Sequence, residues 1–240
     1  MNGQLHLIPT PLGDPDPNNA LPAPVLALLT DIRLFFVEEL RTARRFLSAA
    51  GWKGRVDELE LLELNEHTPR EQIEAYAARL GEQDAALISE AGLPAVADPG
   101  ALLVELAHAR GVRVGPHIGP SSLMMALMAS GLIGQCFAFA GYLPVKAPAR
   151  REAILALERT SARLQQSQLM IETPYRNDAL LADLLEVCRP ATRLCIAADI
   201  TCPTELIRTQ TISAWRQEVR RGFTIGKRPC VFILAYGTTQ

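Results

Sequence analysis

The sequence predicts an α/β protein of two α/β domains, the first with a mostly parallel sheet and the second with a mixed one. Three observations lead there. Short apolar runs alternate with stretches of helical periodicity through the first half of the chain, which is the rhythm of βαβ units. In the second half two strand-like runs, 193–199 and 205–212, lie too close for a crossover helix, so they must pair antiparallel. The stretch "PHIGPSS" at 116–122 marks the join and divides the chain into 1–117 and 118–240.

Taken in order, "LHLI" (5–8), "RLFFV" (33–37), "ELLEL" (60–64), "AALIS" (85–89) and "VRVG" (112–115) read as strands. Helical segments fall near 22–30, 42–50, 69–81 and 99–110. Such a sheet is covered on both faces and takes ligands outside the C-terminal ends of its strands. Beyond the join, strands at 136–143 and 167–173 flank a charged, Ala-rich helix at 147–164. A helix near 177–187, the pair of close strands, a helix near 213–221 and a strand at 230–237 complete the chain.

With 240 residues, 48% hydrophobic and 21% charged, the chain has the make-up of a soluble globular protein. Its 5% aromatic content argues against a sugar-binding or base-stacking surface built on rings. A net charge of -2 gives no global basic field. The charge is uneven, however: residues 1–145 hold 10 Lys+Arg against 17 Asp+Glu, and residues 146–240 hold 14 against 9. That asymmetry suits an anionic partner on the C-terminal half, or the scatter of solvated charge. Cys136, Cys188, Cys195, Cys202 and Cys230 form no CxxC pair, as expected of reduced thiols in a cytoplasm. No HxxxH occurs among the four histidines, so no metal is expected. Neither a signal-peptide pattern nor an apolar run of membrane-spanning length is present, so a cytoplasmic protein without membrane contact is expected.

Three loops after predicted strands are rich in Gly, Pro and hydroxyl residues: "PTPLGDPDP" (9–17), "SEAGLPAVADPG" (89–100) and "GPSSLMMALMASG" (119–131). Glycine permits φ > 0 and close approach, and proline sets the turn. Three such loops at one sheet edge point to a ligand held by main chain. Asp98 is expected to cap the following helix with Pro99 in its first turn, and Ser121 or Ser122 to cap the next. The chain contains no GxGxxG, GxxxxGK[ST] or GxSxG, which disfavours a Rossmann dinucleotide site, a P-loop and a hydrolase elbow.

The blocks "TPLGDP", "VEELRTARRFL" (37–47), "LNEHTPRE" (64–71), "ISEAGLPAVADPG" (88–100), "IGPSSLMMALMASGL" (118–132), "FAFAGYLP" (137–144) and "IETPYR" (171–176) follow one another in an order that resembles the tetrapyrrole methylase superfamily. Within it they are most similar to the branch that 2′-O-methylates a cytidine of small-subunit ribosomal RNA. The resemblance runs over nearly the whole chain. It implies a homodimer of two-domain subunits with S-adenosylmethionine in a cleft between the domains, held largely by main chain. By position the cofactor contacts are Pro11, Ala91, Gly92, Leu93, Pro94, Ala95, Val96, Ser121, Ser122, Thr173 and Ala197. The partner implied is rRNA or the small ribosomal subunit. Leu93 stands where that branch usually carries Thr, and Glu172 to Arg176 where it reads ESPHR.

A ribose hydroxyl has a high pKa, so its methylation gains from a base or from charge neutralisation. Glu39, Arg41 and Glu172 are the candidate catalytic residues, and Glu66, His67 and Arg176 the candidate substrate contacts. Glu39 and Arg41 can instead form a surface ion pair, and His67 a contact at a helix start. His117, Tyr142 and Trp215 read as structural residues. Two other functions stay open on sequence: methyl transfer to a tetrapyrrole or other small molecule, and binding of cofactor or RNA without catalysis.

Overall fold

Strands β1 (Leu5–Leu7), β2 (Leu34–Val37), β3 (Glu60–Glu63), β4 (Ala85–Ile88) and β5 (Val114–Pro116) form an all-parallel sheet in the order β3-β2-β4-β1-β5. They come from a computed structural model that describes residues 3–237. The chain divides into two units, Met1–Ser121 and Ser122–Gln240. Both central strands β2 and β4 are buried along their whole length, as their unbroken apolar sequences require. Side chains of β2 alternate between the two faces. Phe35 and Val37 pack with Val25 and Leu29 of α1 (Ala23–Leu29) and Leu47 of α2 (Leu40–Leu47). Leu34 and Phe36 pack with Ile73 and Ala77 of α3 (Arg70–Ala78) and Leu103 of α4 (Ala101–Ala109).

Three boundaries differ from the sequence expectation, each for a local reason. Helix α2 begins at Leu40 because the Glu39 carboxylate accepts the amides of Arg41 and Thr42, the bond pattern of an N-cap. Its regular turns end at Leu47, and the chain continues in a wider turn, Ser48–Trp52, that contains Gly51 at φ 115°. Helix α4 is entered through Gly100, at φ 124°, so Asp98 is not its cap and Pro99 lies before its first turn.

In the second unit, β6 (Phe137–Tyr142), β7 (Ser167–Ile171), β8 (Arg193–Ala198), β9 (Leu206–Thr211) and β10 (Cys230–Ala235) form a mixed sheet ordered β6-β7-β10-β8-β9. Only β6 and β7 run parallel; the other pairs are antiparallel, the close strands β8 and β9 among them. Helices α5 (Ser122–Ser130), α6 (Ala147–Leu164), α7 (Asn177–Val187) and α8 (Ile212–Arg220) complete the unit. Buried Asp183 on α7 ties that helix to α6 by accepting Arg150 Nε at 2.6 Å and Arg151 Nε at 2.7 Å. Removing Asp183 would strand the buried Arg150, at a cost of about 3–5 kcal/mol. Trp215 is fully buried and donates Nε1–H to the carbonyl of Leu194 at 2.8 Å, a packing role as expected. Tyr142 corrects the expectation: at 55% exposure it is a surface residue, carried at the end of an edge strand. All five cysteines are free, and burial pushes the Cys188 and Cys230 thiols up to about 12. No helix among the described residues is long and apolar enough to cross a membrane.

One polar pair lies inside the first unit. His6, on β1 and 2% exposed, places Nδ1 2.9 Å from Nε2 of His117, which follows β5. Such a bond needs a donor ring and an acceptor ring, so it is lost when both are protonated. Burial holds both imidazoles below their ordinary pKa; Asp84 opposes this at His6 with a smaller effect. Below about pH 6.5 the unfolded chain therefore takes up more protons at these positions than the folded one, and stability falls as pH falls. The midpoint of thermal unfolding should drop between pH 7.5 and pH 5.5. His117→Gln, which keeps a hydrogen-bonding group but cannot titrate, should flatten that dependence; an unchanged slope would place its origin elsewhere.

Candidate functional site

Adjacent strands β4, β1 and β5 deliver three loops to one edge of the parallel sheet. Thr10 and Gly92 exchange both main-chain hydrogen bonds, at 2.9 and 3.0 Å, and the Thr10 hydroxyl donates to the carbonyl of Ser89 at 3.2 Å. A Cβ added at Gly92 would lie 3.2 Å from Leu12 and 3.8 Å from the carbonyl of Pro120. One added at Gly119 would meet Pro9 at 2.4 Å. Thus the loop bearing Pro11, the loop Ala91 to Val96 and the segment leading to Ser121 touch one another. Ser122 is the first residue of α5, with Ser121 immediately before it.

The middle loop is held in an uncommon backbone conformation. Gly92 (φ 83°), Ala95 (φ 62°), Ala97 (φ 65°) and Gly100 (φ 124°) are all left-handed. For an alanine this costs roughly 1–2 kcal/mol, and such strain persists where the surroundings enforce it, often at functional sites. Gly92 and Pro94 are buried, Leu93 and Ala95 half-buried, and Ala91 and Val96 exposed. The stretch is therefore anchored at Gly92 and Pro94 and exposed at Ala91 and Val96.

Carboxylates gather at the same edge. Half-buried Glu38 accepts the main-chain amide of Glu90 at 3.0 Å. Burial pushes the Glu38 carboxyl up, and the neighbouring Glu90 and Glu66 add to that. Asp98 is pushed up to about 6, chiefly by burial and then by the charge of Glu38, with the adjacent Ser89 hydroxyl partly offsetting this. Glu38, Ser89 and this role of Asp98 escaped sequence reasoning; the only signal was a second Glu directly after an apolar strand. Glu39, by contrast, is committed to capping α2, and the two amides it accepts hold it below the usual carboxylate range. Its link to Arg41 runs through the main chain, and the Arg41 side chain is exposed. Glu66 and His67 stand out in solvent 3.5 Å apart, in the turn that Asn65 closes by accepting the amide of His67.

In the second unit, Glu172 follows β7 and is paired with Arg176, whose Nη2 lies 2.6 Å from its Oε1. That salt bridge occupies the arginine that sequence had reserved for substrate. Thr173 precedes a short turn, Pro174–Arg176, that leads directly into α7. Ala197 lies inside β8, paired with Val231 on one side and Ile207 on the other, and is buried. The chain leaves the sheet only beyond it, where Asp199 (φ 52°) and Thr201 (φ 73°) are left-handed. A β-branched residue in that region is a true outlier, and sequence reasoning had no signal for it.

The family pattern described as Tetrapyrrole (Corrin/Porphyrin) Methylases matches residues 4–215. The chain belongs to the tetrapyrrole methylase family. It is 32% identical over 234 residues to the ribosomal RNA small subunit methyltransferase I of Pseudomonas aeruginosa, covering 97% of this chain and 79% of that protein. Against the protein of the same name from Neisseria meningitidis serogroup B it is 33% identical over 214 residues, covering 88% and 69%. The crystal structure of the native form of uroporphyrin III C-methyl transferase from Thermus thermophilus shares the fold, with a TM-score of 0.56, 20% identity and 97% of each chain covered.

As a tetrapyrrole methylase the chain is a methyltransferase with S-adenosylmethionine as methyl donor. The first unit's loops fit that donor. Gly92, locked by Thr10, sits so close to Leu12 and Pro120 that a larger side chain there would push the loops apart. Gly92→Val adds a branched side chain at a φ that disfavours it. Binding of S-adenosylhomocysteine, measured by calorimetry, should be abolished while the far-ultraviolet dichroism spectrum stays that of the wild type. Undiminished affinity would remove this loop from the cofactor site.

Proposed function

We propose that this methylase transfers a methyl group from S-adenosylmethionine to a ribose 2′-hydroxyl of small-subunit ribosomal RNA, and that it acts as a cytoplasmic homodimer. The observation that carries the methyl-transfer reading is the meeting of three small-residue loops, the middle one strained, at one edge of the parallel sheet. Pro11, Ala91, Gly92, Leu93, Pro94, Ala95, Val96, Ser121 and Ser122 are the residues proposed to hold the cofactor, with Thr173 and Ala197. When bound, the cofactor supplies a methyl group already activated on a sulfonium. What the chain must do is align that methyl with the acceptor oxygen and exclude water. The acidic edge formed by Glu38, Glu66, Glu90 and Asp98 suits a cationic ligand, since opposite charge is attracted most strongly where water is excluded.

The acceptor is inferred from the relatives, which bear the name of ribosomal RNA methyltransferases, and from the charge balance. Residues 146–240 carry 14 Lys+Arg against 9 Asp+Glu, and Arg220, Arg221 and Lys227 are exposed there. Arg41, exposed at the start of α2, is proposed as a phosphate contact. Glu39, already spent as a cap, orients that helix rather than taking a proton. Glu66 and His67, both exposed, are kept as acceptor contacts. Support for a dimer comes from β6, an edge strand with Phe137, Phe139 and Tyr142 exposed and Val145 just beyond it; apolar edge surface of this kind is usually covered.

Small subunits from cells lacking this gene, incubated with protein and labelled methyl donor, should acquire label in their RNA. The labelled nucleotide should resist alkaline cleavage at its 3′ side, the mark of a blocked 2′-hydroxyl. Binding to the subunits should weaken steeply with salt. Label entering a porphyrinoid instead, or donor binding with no transfer to RNA, would overturn the acceptor assignment. Light scattering should give twice the chain mass of 26.2 kDa; a monomer would overturn the dimer.

A further inference from the structure

The corner between β7 and α7 contains a carboxylate that is satisfied on one oxygen and bare on the other. The Glu172 side chain has no solvent exposure. Its Oε1 accepts four donors: the Thr173 amide at 2.7 Å, the Thr173 hydroxyl at 3.2 Å, Arg176 Nε at 2.9 Å and Arg176 Nη2 at 2.6 Å. Its Oε2, equally buried, has no hydrogen-bond donor among the described residues. A second bare acceptor lies in the same segment. Asn177 is fully buried and donates through Nδ2 to the carbonyls of Gly226 at 3.1 Å and Arg228 at 2.7 Å, while its Oδ1 receives nothing among the described residues.

Buried polar atoms without partners are rare in native proteins, and each calls for an explanation. Here the explanation has a defined chemistry. The missing group must donate, because both bare atoms are acceptors. It must also be neutral: the Arg176 fork already balances the Glu172 charge, and a second cation would meet the guanidinium. A hydroxyl meets both conditions, and a ribose offers two on neighbouring carbons.

We propose that the Glu172–Asn177 corner is a ribose-binding site in which Glu172 Oε2 accepts a hydrogen bond from a sugar hydroxyl. The proposal rests on the methyl-transfer reading, in which both the donor and the RNA acceptor carry a ribose, and the two sources give different signatures. Arg176 is a positioning residue: by donating twice to Oε1 it fixes the carboxylate and leaves Oε2 as its free acceptor. Glu172→Gln is the direct probe, because an amide oxygen kept on Arg176 leaves an NH2 group, a donor, where the acceptor stood.

The measurements are titration of S-adenosylhomocysteine and of its 2′,3′-dideoxy form into wild type and E172Q, KM for small subunits, and the thermal midpoint of each protein. If the ribose is the cofactor's, E172Q binds S-adenosylhomocysteine about tenfold or more weakly. Wild type then also loses affinity for the dideoxy form, whereas E172Q no longer distinguishes the two. If the ribose is the acceptor's, KM for the subunits rises by a similar factor and cofactor affinity stays put. Unchanged cofactor affinity and unchanged KM in a folded E172Q overturn the proposal; a trapped water would give that result. Should E172Q lose its folding transition, wild type decides: equal affinity for ribose and deoxyribose forms of both cofactor product and RNA overturns it. Wild type that binds no S-adenosylhomocysteine refutes the methyl-transfer reading itself, a result distinct from any of these.

Discussion

The antiparallel main-chain exchange between Thr10 and Gly92 is the constraint on which the N-terminal site depends. It is made by two loops that leave neighbouring parallel strands, and it uses only backbone atoms. With that pair closed, Gly92 is backed by Leu12 and Pro120. Beyond it the chain reaches α4 through left-handed residues at Ala95, Ala97 and Gly100. The strain is small beside the burial of the sheet on both faces, which is why the loop can keep it.

The fold was legible in the sequence to a degree set by periodicity. Strands β2 and β4 are continuous apolar runs, and α6 and α7 occupy 147–164 and 177–187, the ranges their patterns indicated. Boundaries failed where a side-chain cap or a glycine turn intervened. The Glu39 carboxylate draws the start of α2 forward by two residues, and Gly100 displaces Asp98 as the entry to α4. Neither event alters hydrophobic spacing, so no period could reveal it.

The candidate site was legible as loops but not as side-chain roles. Small residues announce close backbone approach wherever they cluster, and the three loops do meet. Charge roles depend on burial and on partners distant in sequence: Glu38 meets Glu90 across 52 positions, and burial first, then the charge of Glu38, lifts Asp98. Glu39 and Arg41 read in sequence as catalytic candidates or as a surface ion pair, yet a helix start makes the acid a cap. Arg176 reads in sequence as a substrate contact, and the turn Pro174–Arg176 brings it back onto Glu172.

The strand order of the first sheet has a consequence for synthesis. Strand β1 lies between β4 and β5, and its partners Ala85 and Val114 are made long after Leu5. Its loop cannot be locked until Gly92 has emerged, nor backed until Pro120 and Gly119 have followed. A nascent chain shorter than the first unit therefore contains every residue of the opening loop and none of its shape. The edge proposed to hold the cofactor is complete only when the last crossover closes on β1.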